Sequence, residues 1–242
     1  MAESIVFCMD CMEALREYPD KVFELCVADP PYGINITGRH RERERESVLV
    51  GGVGRPFGGN GKAVWSSKKQ PCESKFYPVF DDGSPPDAEV FRELQRVSKK
   101  LVIWGGNFFL DHLGAASCMV IWDKKRRGLD QADCEVAWTN LKGQSRIFDY
   151  RWNGMLQENM KNKEERIHAT QKPVDLYVYL YHLADLKPGD TILDPYLGSG
   201  SSRIAAHDMG FNFTGYEINE TYFKLQKERF ERHTAQMSLF VT

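Results

Sequence analysis

The sequence has no long apolar run: across its 242 residues, none approaches the roughly 18 consecutive apolar residues that a membrane helix needs. The opening stretch MAESIVFCMD also lacks the basic and apolar regions of a secretory signal peptide. Both absences favour a cytoplasmic protein that does not contact a membrane. No internal repeat is evident, and 42% hydrophobic and 27% charged residues suit one globular domain with insertions.

Cysteine is scarce, with 6 in the chain, and the positions suggest no disulfide framework. In a cytoplasmic protein such cysteines are typically reduced. Cys8 and Cys11 have the spacing of half a zinc site, but no second pair follows at the spacing of a zinc ribbon. We therefore predict no metal site. The formal net charge of −2 neither requires nor excludes a nucleic-acid partner.

Strands and helices alternate along much of the chain. Short apolar runs predict strands at 4–8, 24–28, 101–104, 118–122, 135–139, 191–193 and 212–216. Helical spacing of apolar residues in PPDAEVFRELQRVSK and KPVDLYVYLYHLADL predicts helices between several of these strands. Such alternation indicates an α/β fold with a mostly parallel sheet. Residues 38–75 do not fit this pattern, because they are rich in glycine and mixed charge; they are expected to be a flexible insertion, either functional or passive.

The stretch DTILDPYLGSGSSRIAAHDMGFNFTGYEINE predicts a nucleoside site. A strand ends at Asp194, a loop containing Gly198 and Gly200 opens a helix, and a second strand ends at Glu217. In a Rossmann-like βαβ unit, such glycines let a ligand approach the backbone, and the later acid accepts hydrogen bonds from ribose hydroxyls. Arg203 stands where a dinucleotide fingerprint has its third glycine, which favours a nucleoside without phosphates. Alternatively, Glu217 only caps the helix that follows it.

The stretch VADPPYGI, residues 27–34, runs an apolar strand into Asp29, two prolines and Tyr32. It precedes the βαβ unit, so the cofactor half of the sheet lies C-terminal to it. This order resembles the β class of amino-group DNA methyltransferases, which bind S-adenosylmethionine and are circularly permuted. The matching pieces are MDCMEAL (9–15), ADPPYGI (28–34), VIWGGNFF (102–109), VIWDK (120–124), ATQKPVDL (169–176) and LDPYLGSGSS (193–202).

The resemblance implies a Rossmann-like methyltransferase fold with a mostly parallel seven-stranded sheet, in a single domain that spans residues 1–235. It also assigns catalysis to Asp29, Pro30, Pro31 and Tyr32. The carboxylate and the Pro30 carbonyl would accept the hydrogens of a base amine, and proline keeps these acceptors aimed. Tyr32 would stack on a base flipped out of double-stranded DNA. A rigid turn without chemistry is the alternative.

The resemblance further implies a set of residues for S-adenosylmethionine. Asp194, Gly198 and Gly200 correspond to the loop at its methionine end, and Glu217 to the ribose acceptor. Asp10 corresponds to the acid that meets the adenine amine, or is an ordinary helix N-cap. The segment that closes over the methionine end corresponds to Gln171, Lys172 and Pro173, although Lys172 could equally be a solvated residue of a first helical turn.

Contacts with DNA are predicted from charge. Lys124, Lys125, Arg126 and Arg127 follow a strand, and four adjacent cations suit phosphates, although a solvated loop would look the same. Residues 139–167 occupy the place of a target-recognition segment.

The D-P-P-Y form is more typical of the family's adenine-N6 enzymes, so we expect methylation of adenine N6 in DNA, as in restriction-modification systems. The alternatives are N4-cytosine methylation and a catalytically idle relative that only binds DNA or a clamp; methylation of RNA or of a protein glutamine is more remote. The oligomeric state stays open, and a dimer is compatible with the sequence.

The tail, residues 236–242, carries a separate signal. Its QMSLF stretch, made of Gln236, Met237, Ser238, Leu239 and Phe240, resembles the peptide by which bacterial replication proteins dock on the sliding clamp. Termini are commonly exposed, which favours such docking. The alternative is a tail that packs on its own domain.

Overall fold

The computed structural model describes residues 2–34, 77, 83–128, 132–153 and 156–238. The predicted insertion at 38–75 lies outside these ranges. No helix in the described ranges is long and apolar enough to cross a membrane.

A single large sheet organises the described part of the chain. Its strands are β1 (Ser4–Phe7), β2 (Phe23–Ala28), β3 (Ser98–Trp104), β4 (Met119–Asp123), β5 (Cys134–Thr139), β6 (Arg146–Asp149), β9 (Thr191–Asp194) and β10 (Asn212–Tyr216), and the separate pair β7 (Trp152–Asn153) and β8 (Leu156–Gln157) forms a small second sheet. The eight strands of the large sheet lie in the order β1-β10-β9-β2-β3-β5-β4-β6. All neighbours are parallel except at β5, which runs antiparallel to both β3 and β4.

The mostly parallel α/β sheet predicted from the sequence is confirmed, but the expected number of seven strands is one too few. The additional strand is β6, which pairs in parallel with β4 at the edge of the sheet. This strand, RIFD, is short and largely exposed. Its two apolar residues stand between charged ones, so it lacks the apolar run by which most of the other strands are recognised. It lies within 139–167, so part of the segment expected to read the target belongs to the sheet.

Six helices and one turn of 3₁₀ helix connect these strands within the described ranges. They are α1 (Cys11–Leu15), α2 (Ala88–Val97), the 3₁₀ turn (Gly106–Phe108), α3 (Leu110–Leu113), α4 (Val174–Leu183), α5 (Ser201–Asp208) and α6 (Glu220–Ser238). Short polar side chains cap the first turns of α1 and α2: Asp10 Oδ1 accepts from the Met12 amide at 2.9 Å, and Asp87 Oδ1 accepts from the Glu89 amide at 2.9 Å.

The core lies on both faces of the sheet. In β2, Leu25 and Val27 point to one face and pack in the cluster that contains α4 and α5 residues. Cys26 and Ala28 point to the opposite face, into the cluster formed with α1 and α2. Because both faces are covered, β2 reads as a nearly continuous apolar run, which is typical of a central parallel strand.

Strand order brings the two distant halves of the chain together. The C-terminal strands β9 and β10 insert between β1 and β2, with Cys26 opposite Leu193. Since these strands are parallel, the residues that follow β2, β3, β9 and β10 meet along one edge of the sheet, where open α/β sheets bind ligands. We call it the carboxyl edge. The reversed strand β5 begins at this edge, so Glu135 near its start lies there too.

Candidate active site at the carboxyl edge

The glycine loop between β9 and α5 has a backbone that only glycine adopts readily. Gly198 has φ of +50° and Gly200 has φ of +72°. A Cβ on Gly200 would also lie 3.2 Å from the Gln226 side chain. The two glycines are therefore required by the backbone of the loop, and at Gly200 also by its packing against Gln226; the approach of a ligand to this loop stays a prediction.

Glu217 fixes this loop. Its Oε2 accepts a hydrogen bond from the Gly198 amide at 2.8 Å, and its Oε1 accepts one from the Asn219 amide at 2.8 Å. The alternative reading of Glu217 as the cap of α6 does not hold, because Asn219 Oδ1 accepts from the amides of Thr221 and Tyr222. Burial raises the pKa of the Glu217 carboxyl.

Asp194 is buried beneath the glycine loop and accepts hydrogen bonds from residues on both sides of it. It is fully buried, its Oδ1 accepts from the Tyr196 amide at 3.0 Å, and its Oδ2 accepts from the Ser202 hydroxyl. Burial raises the pKa of Asp194 to about 7, although both hydrogen bonds act in the opposite direction. The carboxyl is therefore close to its titration point at neutral pH.

Asp10 and Ile218 flank the outer end of the glycine loop. The Glu217 amide donates to the Phe7 carbonyl at 3.0 Å, so the chain that leads to Asp10 runs beside Glu217. Asp10 is exposed and caps α1, which leaves a carboxylate oxygen able to accept from a ligand. Ile218 is 71% exposed and was not predicted from the sequence. The sequence feature that could have indicated Ile218 is an apolar residue directly after the acid that ends a strand.

Asp29 and Tyr32 are joined as the sequence suggested. The Tyr32 hydroxyl donates to Asp29 Oδ1 at 2.6 Å, and the intervening Pro30 is buried. The tyrosine ring lies against Gly105, whose Cβ, if present, would be 2.3 Å from the ring. The first glycine of VIWGGNFF is therefore required by the position of Tyr32.

Phe108 covers the exposed side of this cluster. Its ring stacks on that of Tyr32, with centroids 5.4 Å apart and planes 22° from parallel, and the side chain is 51% exposed. An exposed phenylalanine of this kind offers a flat apolar surface at the mouth of the site. The sequence analysis quoted its motif but assigned it no role.

Lys172 is buried beside Asp29 and is not a solvated residue of a helical turn. Its ammonium contacts Asp29 Oδ2 and lies 3.2 Å from Glu135 Oε2, and only 3% of the side chain is exposed. Burial works against its charged form, but the two carboxylates outweigh this effect and raise its pKa. The alternative of a solvated residue in a first helical turn is therefore wrong, because the lysine points inward from the segment before α4. The contact with the methionine end of a cofactor stays a prediction.

Glu135 completes this cluster and was missed entirely. Its Oε1 contacts the ammonium of Lys124, which in turn lies 4.7 Å from the Trp122 ring centroid. Burial opposes ionisation of Glu135, yet Lys172 and Lys124 together lower its pKa to about 2. The available signal was an acid inside the otherwise apolar strand sequence CEVAWT.

The basic run after β4 is divided by the fold. Lys124 is buried and ion-paired with Glu135. The expectation that all four cations contact phosphates is therefore wrong for Lys124. Lys125 lies 3.6 Å from Glu158, and Arg127 pairs with Asp123 while 74% of its side chain is exposed. The Arg126 Nε donates to the Ala132 carbonyl at 3.0 Å. Lys125 and Arg127 stay at the surface, where phosphates can reach them.

Residues 165–173 precede α4, and we call this segment the strap. It holds Lys172 inward. Gln171 Oε1 accepts from the Ile167 amide at 2.9 Å, and its Nε2 donates to the Glu165 carbonyl at 3.0 Å. The Trp152 indole donates to the Gln171 carbonyl at 2.8 Å. The Gln171 side-chain amide thus bonds to backbone of the same segment, and Pro173 precedes the first turn of α4. Contact of either residue with a cofactor stays a prediction.

Comparison with known proteins adds a family to this geometry. The model of a family described as DNA methylase matches residues 41–228. The type II methyltransferase M.HinfI of Haemophilus influenzae is 35% identical over 260 aligned positions, which cover 91% of this chain and 66% of that protein. The type II methyltransferase M2.DpnII of Streptococcus pneumoniae is 24% identical, with 92% of this chain and 87% of that protein covered.

Solved structures show the same fold. A DNA modification methylase of Thermus thermophilus, solved in complex with S-adenosyl-L-methionine, superposes with a TM-score of 0.54 at 18% identity and covers 95% of this chain and 94% of its own. The cytosine-N4-specific PvuII DNA methyltransferase superposes with a TM-score of 0.55 at 13% identity, covering 97% and 91%. At these identities the similarity concerns the fold.

The buried Asp194 predicts a pH dependence of stability. Its pKa is about 7 in the folded protein and 3.8 ordinarily, so its stabilising contribution is fully present below pH 3.8 and is lost as the pH rises through 7. In Asp194→Asn, Oδ1 can still accept from the Tyr196 amide, and Nδ2 donates to the Ser202 hydroxyl instead of accepting from it. Relative to this variant, the parent should lose roughly 2–4 kcal/mol between pH 4 and pH 8. Urea unfolding without ligand measures this difference, with the exposed Asp149→Asn as control. Equal pH slopes for parent and Asp194→Asn would contradict it.

Proposed function

The chain belongs to the DNA methylase family whose model it matches, and we propose that it methylates the exocyclic N6 of an adenine flipped out of double-stranded DNA. One observation carries the proposal. The Asp29 carboxylate and the Tyr32 ring stand at the carboxyl edge, on the strand next to the one that leads into the glycine loop. A hydrogen-bond acceptor for an amine and a methyl donor can therefore occupy neighbouring places.

The residues at the glycine loop fit S-adenosylmethionine. Gly198 and Gly200 present backbone without a Cβ, and Glu217 offers a carboxylate at the end of β10, where ribose hydroxyls bind in this type of fold. Asp10 would accept from the adenine amine of the cofactor, and Asp194 keeps the loop in shape beneath the methionine end. When bound, the cofactor supplies a methyl group carried on a positively charged sulfur.

Asp29 and Pro30 supply the acceptors that the target amine needs. The lone pair of an exocyclic amine is delocalised into the base, so the nitrogen must be drawn toward tetrahedral geometry before it attacks a methyl group. Hydrogen bonds from the amine to the Asp29 carboxylate and the Pro30 carbonyl favour that geometry. The nitrogen would gain a bond to the methyl carbon as the bond from that carbon to sulfur breaks, so the positive charge would pass from sulfur to nitrogen. The nitrogen would then release one proton, which Asp29 would accept.

Aromatic rings would hold the flipped base. Burial and the Asp29 carboxylate raise the pKa of Tyr32 well above its ordinary range, so its hydroxyl stays protonated and keeps donating to Asp29. The Tyr32 ring is thereby fixed, and the half-exposed Phe108 ring stacked on it provides the outer surface on which the base would stack. Stacking contributes about 1–3 kcal/mol per base, which offsets part of the cost of flipping.

We propose adenine rather than cytosine as the target base because residue 29 is an aspartate. The cytosine-N4-specific PvuII enzyme shares the fold, so the fold does not decide between the two bases. The D-P-P-Y sequence resembles the adenine enzymes of the family.

DNA is the macromolecular substrate, and surface cations next to the site support its binding. Lys125 and Arg127 are available for phosphates at the end of β4. Three further expectations stay predictions: a cytoplasmic location, the oligomeric state, and docking of residues 236–240 on a sliding clamp. The helix α6 runs to Ser238, and Leu239 and Phe240 lie outside the described residues.

The product identifies the target atom. DNA incubated with the protein and S-adenosylmethionine, digested to nucleosides and analysed by mass spectrometry, should contain N6-methyladenine, because Asp29 is placed to accept from an amine. Finding N4-methylcytosine alone would overturn the base assignment. Transfer to RNA or to protein, with none to DNA, would overturn the function.

Replacing Asp29 should separate chemistry from binding. Asp29→Ala is expected to lower kcat by at least about 1,000-fold while the dissociation constant of S-adenosylmethionine changes less than about 5-fold, because Asp29 orients the amine. The matched control is Asp20→Ala, an ion-paired acid before β2 at the opposite edge of the sheet. An alanine variant at position 29 with more than a tenth of parental kcat would refute the role.

Replacing Glu217 should have the opposite pattern. Glu217→Gln removes the charge that holds the Gly198 amide and faces the ribose site, so cofactor affinity should fall about 10- to 100-fold. At saturating cofactor, kcat should stay within about 3-fold of the parent. Glu220→Gln, in the exposed first turn of α6, is the control, and calorimetric titration is the measurement. Unchanged affinity at position 217 would remove Glu217 from the cofactor site.

A further inference from the structure

We infer that Glu135 is a positioning residue for methyl transfer, which acts on Asp29 through the shared ammonium of Lys172. This inference rests on the proposed function and extends it to a residue that lies outside every motif in the sequence. Glu135 does not touch the substrate; it sets the charge and the hydrogen-bonding freedom of the carboxylate that does.

The geometry places one cation between two carboxylates. Lys172 Nζ contacts Asp29 Oδ2, lies 3.2 Å from Glu135 Oε2 and lies 3.4 Å from the Tyr32 hydroxyl. The side chain is buried, and the ammonium lies 5.4 Å from the Trp104 ring centroid. An ammonium in such a place must remain paired, because an unpaired buried charge costs several kcal/mol.

The target amine must compete with this arrangement. Both oxygens of Asp29 already have partners, Oδ1 the Tyr32 hydroxyl and Oδ2 the Lys172 ammonium. A base amine then has to share a carboxylate oxygen with Tyr32 or Lys172, and its hydrogen bond to Asp29 strengthens when Lys172 loosens its contact. Glu135 makes this possible, because the ammonium stays paired with a second carboxylate when it moves away from the first.

The charge that develops during the reaction gives Glu135 a second effect. As the nitrogen–carbon bond forms, positive charge appears on the amine nitrogen beside Asp29, and the Lys172 ammonium repels it. The cluster contains two carboxylates, Asp29 and Glu135, and two ammonium groups, Lys172 and Lys124, and within it the Glu135 carboxylate offsets the repulsion that comes from Lys172. Preorganised charges of this kind act where charge develops in the transition state.

The sheet holds Glu135 firmly in this position. Glu135 lies opposite Trp122 in the β4–β5 ladder, and its Oε1 is held by Lys124. Oε2 is therefore directed toward Lys172. The low pKa of Glu135 and the raised pKa of Lys172 agree with a pair in which both groups are charged.

The decisive variant is Glu135→Gln, which keeps the shape and removes the charge. Lys172 should then bind Asp29 alone and more tightly, so kcat should fall about 100-fold. KM for DNA and the dissociation constant of S-adenosylmethionine should each change less than about 3-fold, because Glu135 touches neither. A purely structural role would lower stability or binding and leave kcat of the folded fraction unchanged, and that result would overturn the inference.

The chain offers a closely matched control in Glu24. It also lies between two lysines, with Lys99 Nζ at 2.7 Å and Lys100 Nζ at 3.2 Å, but at the amino end of β2, away from the carboxyl edge. Glu24→Gln should therefore leave kcat within about 2-fold of the parent. An equal loss of kcat in both variants would mean that the effect at Glu135 is nonspecific, and would also overturn the inference.

A double-mutant cycle tests whether Glu135 acts through Lys172. In a Lys172→Met background, adding Glu135→Gln should change kcat by less than about 3-fold, because the intermediary is gone. This pair also serves if Glu135→Gln alone does not fold, since the double variant removes one charge of each sign. A further loss of about 10-fold or more in the double variant would show that Glu135 does not act through Lys172.

Failure of this inference is separable from failure of the proposed function. A parent protein that does not methylate DNA refutes the function, and the Glu135 variants then carry no weight. A parent that methylates adenine together with a Glu135→Gln variant that retains parental kcat refutes the inference and leaves the function standing.

Discussion

A buried ammonium has to be paired, and the active site is arranged around that requirement at Lys172. The lysine joins three separate parts of the chain: Asp29 after β2, Glu135 at the start of β5, and the strap that precedes α4. Ion pairs of this kind add little net stability compared with apolar packing, but breaking one half is costly. The Lys172 cluster therefore fixes how the catalytic acid, the sheet and the strap are placed relative to one another.

Strand direction explains why these groups meet. Parallel strands deliver the residues after β2, β3, β9 and β10 to one edge, which is where Asp29, Gly105, Gly198 and Glu217 are found. Within the large sheet of the described residues, β5 alone runs in the opposite direction. Its first residues, rather than its last, therefore lie at the carboxyl edge. The site thus combines side chains from strand ends and from one strand start, a consequence of sheet topology that no local sequence pattern expresses.

The sequence predicted most of the fold and the motif-bearing half of the site. Glycine spacing, the acid at a strand end and apolar runs have short-range physical causes, so Gly198, Gly200, Glu217 and Tyr32 could be placed without a structure. Lys172, Lys124 and Glu135 could not, because their roles depend on which distant charges burial brings together. An isolated lysine in a sequence looks the same whether it meets solvent, a ligand or a buried carboxylate.

The insertion of β9 and β10 between β1 and β2 has a consequence for how the protein is made. On the ribosome β1 and β2 emerge early, but their sheet neighbours, such as Leu193 beside Cys26 and Phe213 beside Ser4, are translated more than 150 residues later. The nascent chain therefore carries Asp29 on an incomplete sheet with open strand edges until synthesis reaches β10. Such long-range pairing slows folding, and it leaves the strand edges of β1 and β2 open to aggregation until β9 and β10 are in place.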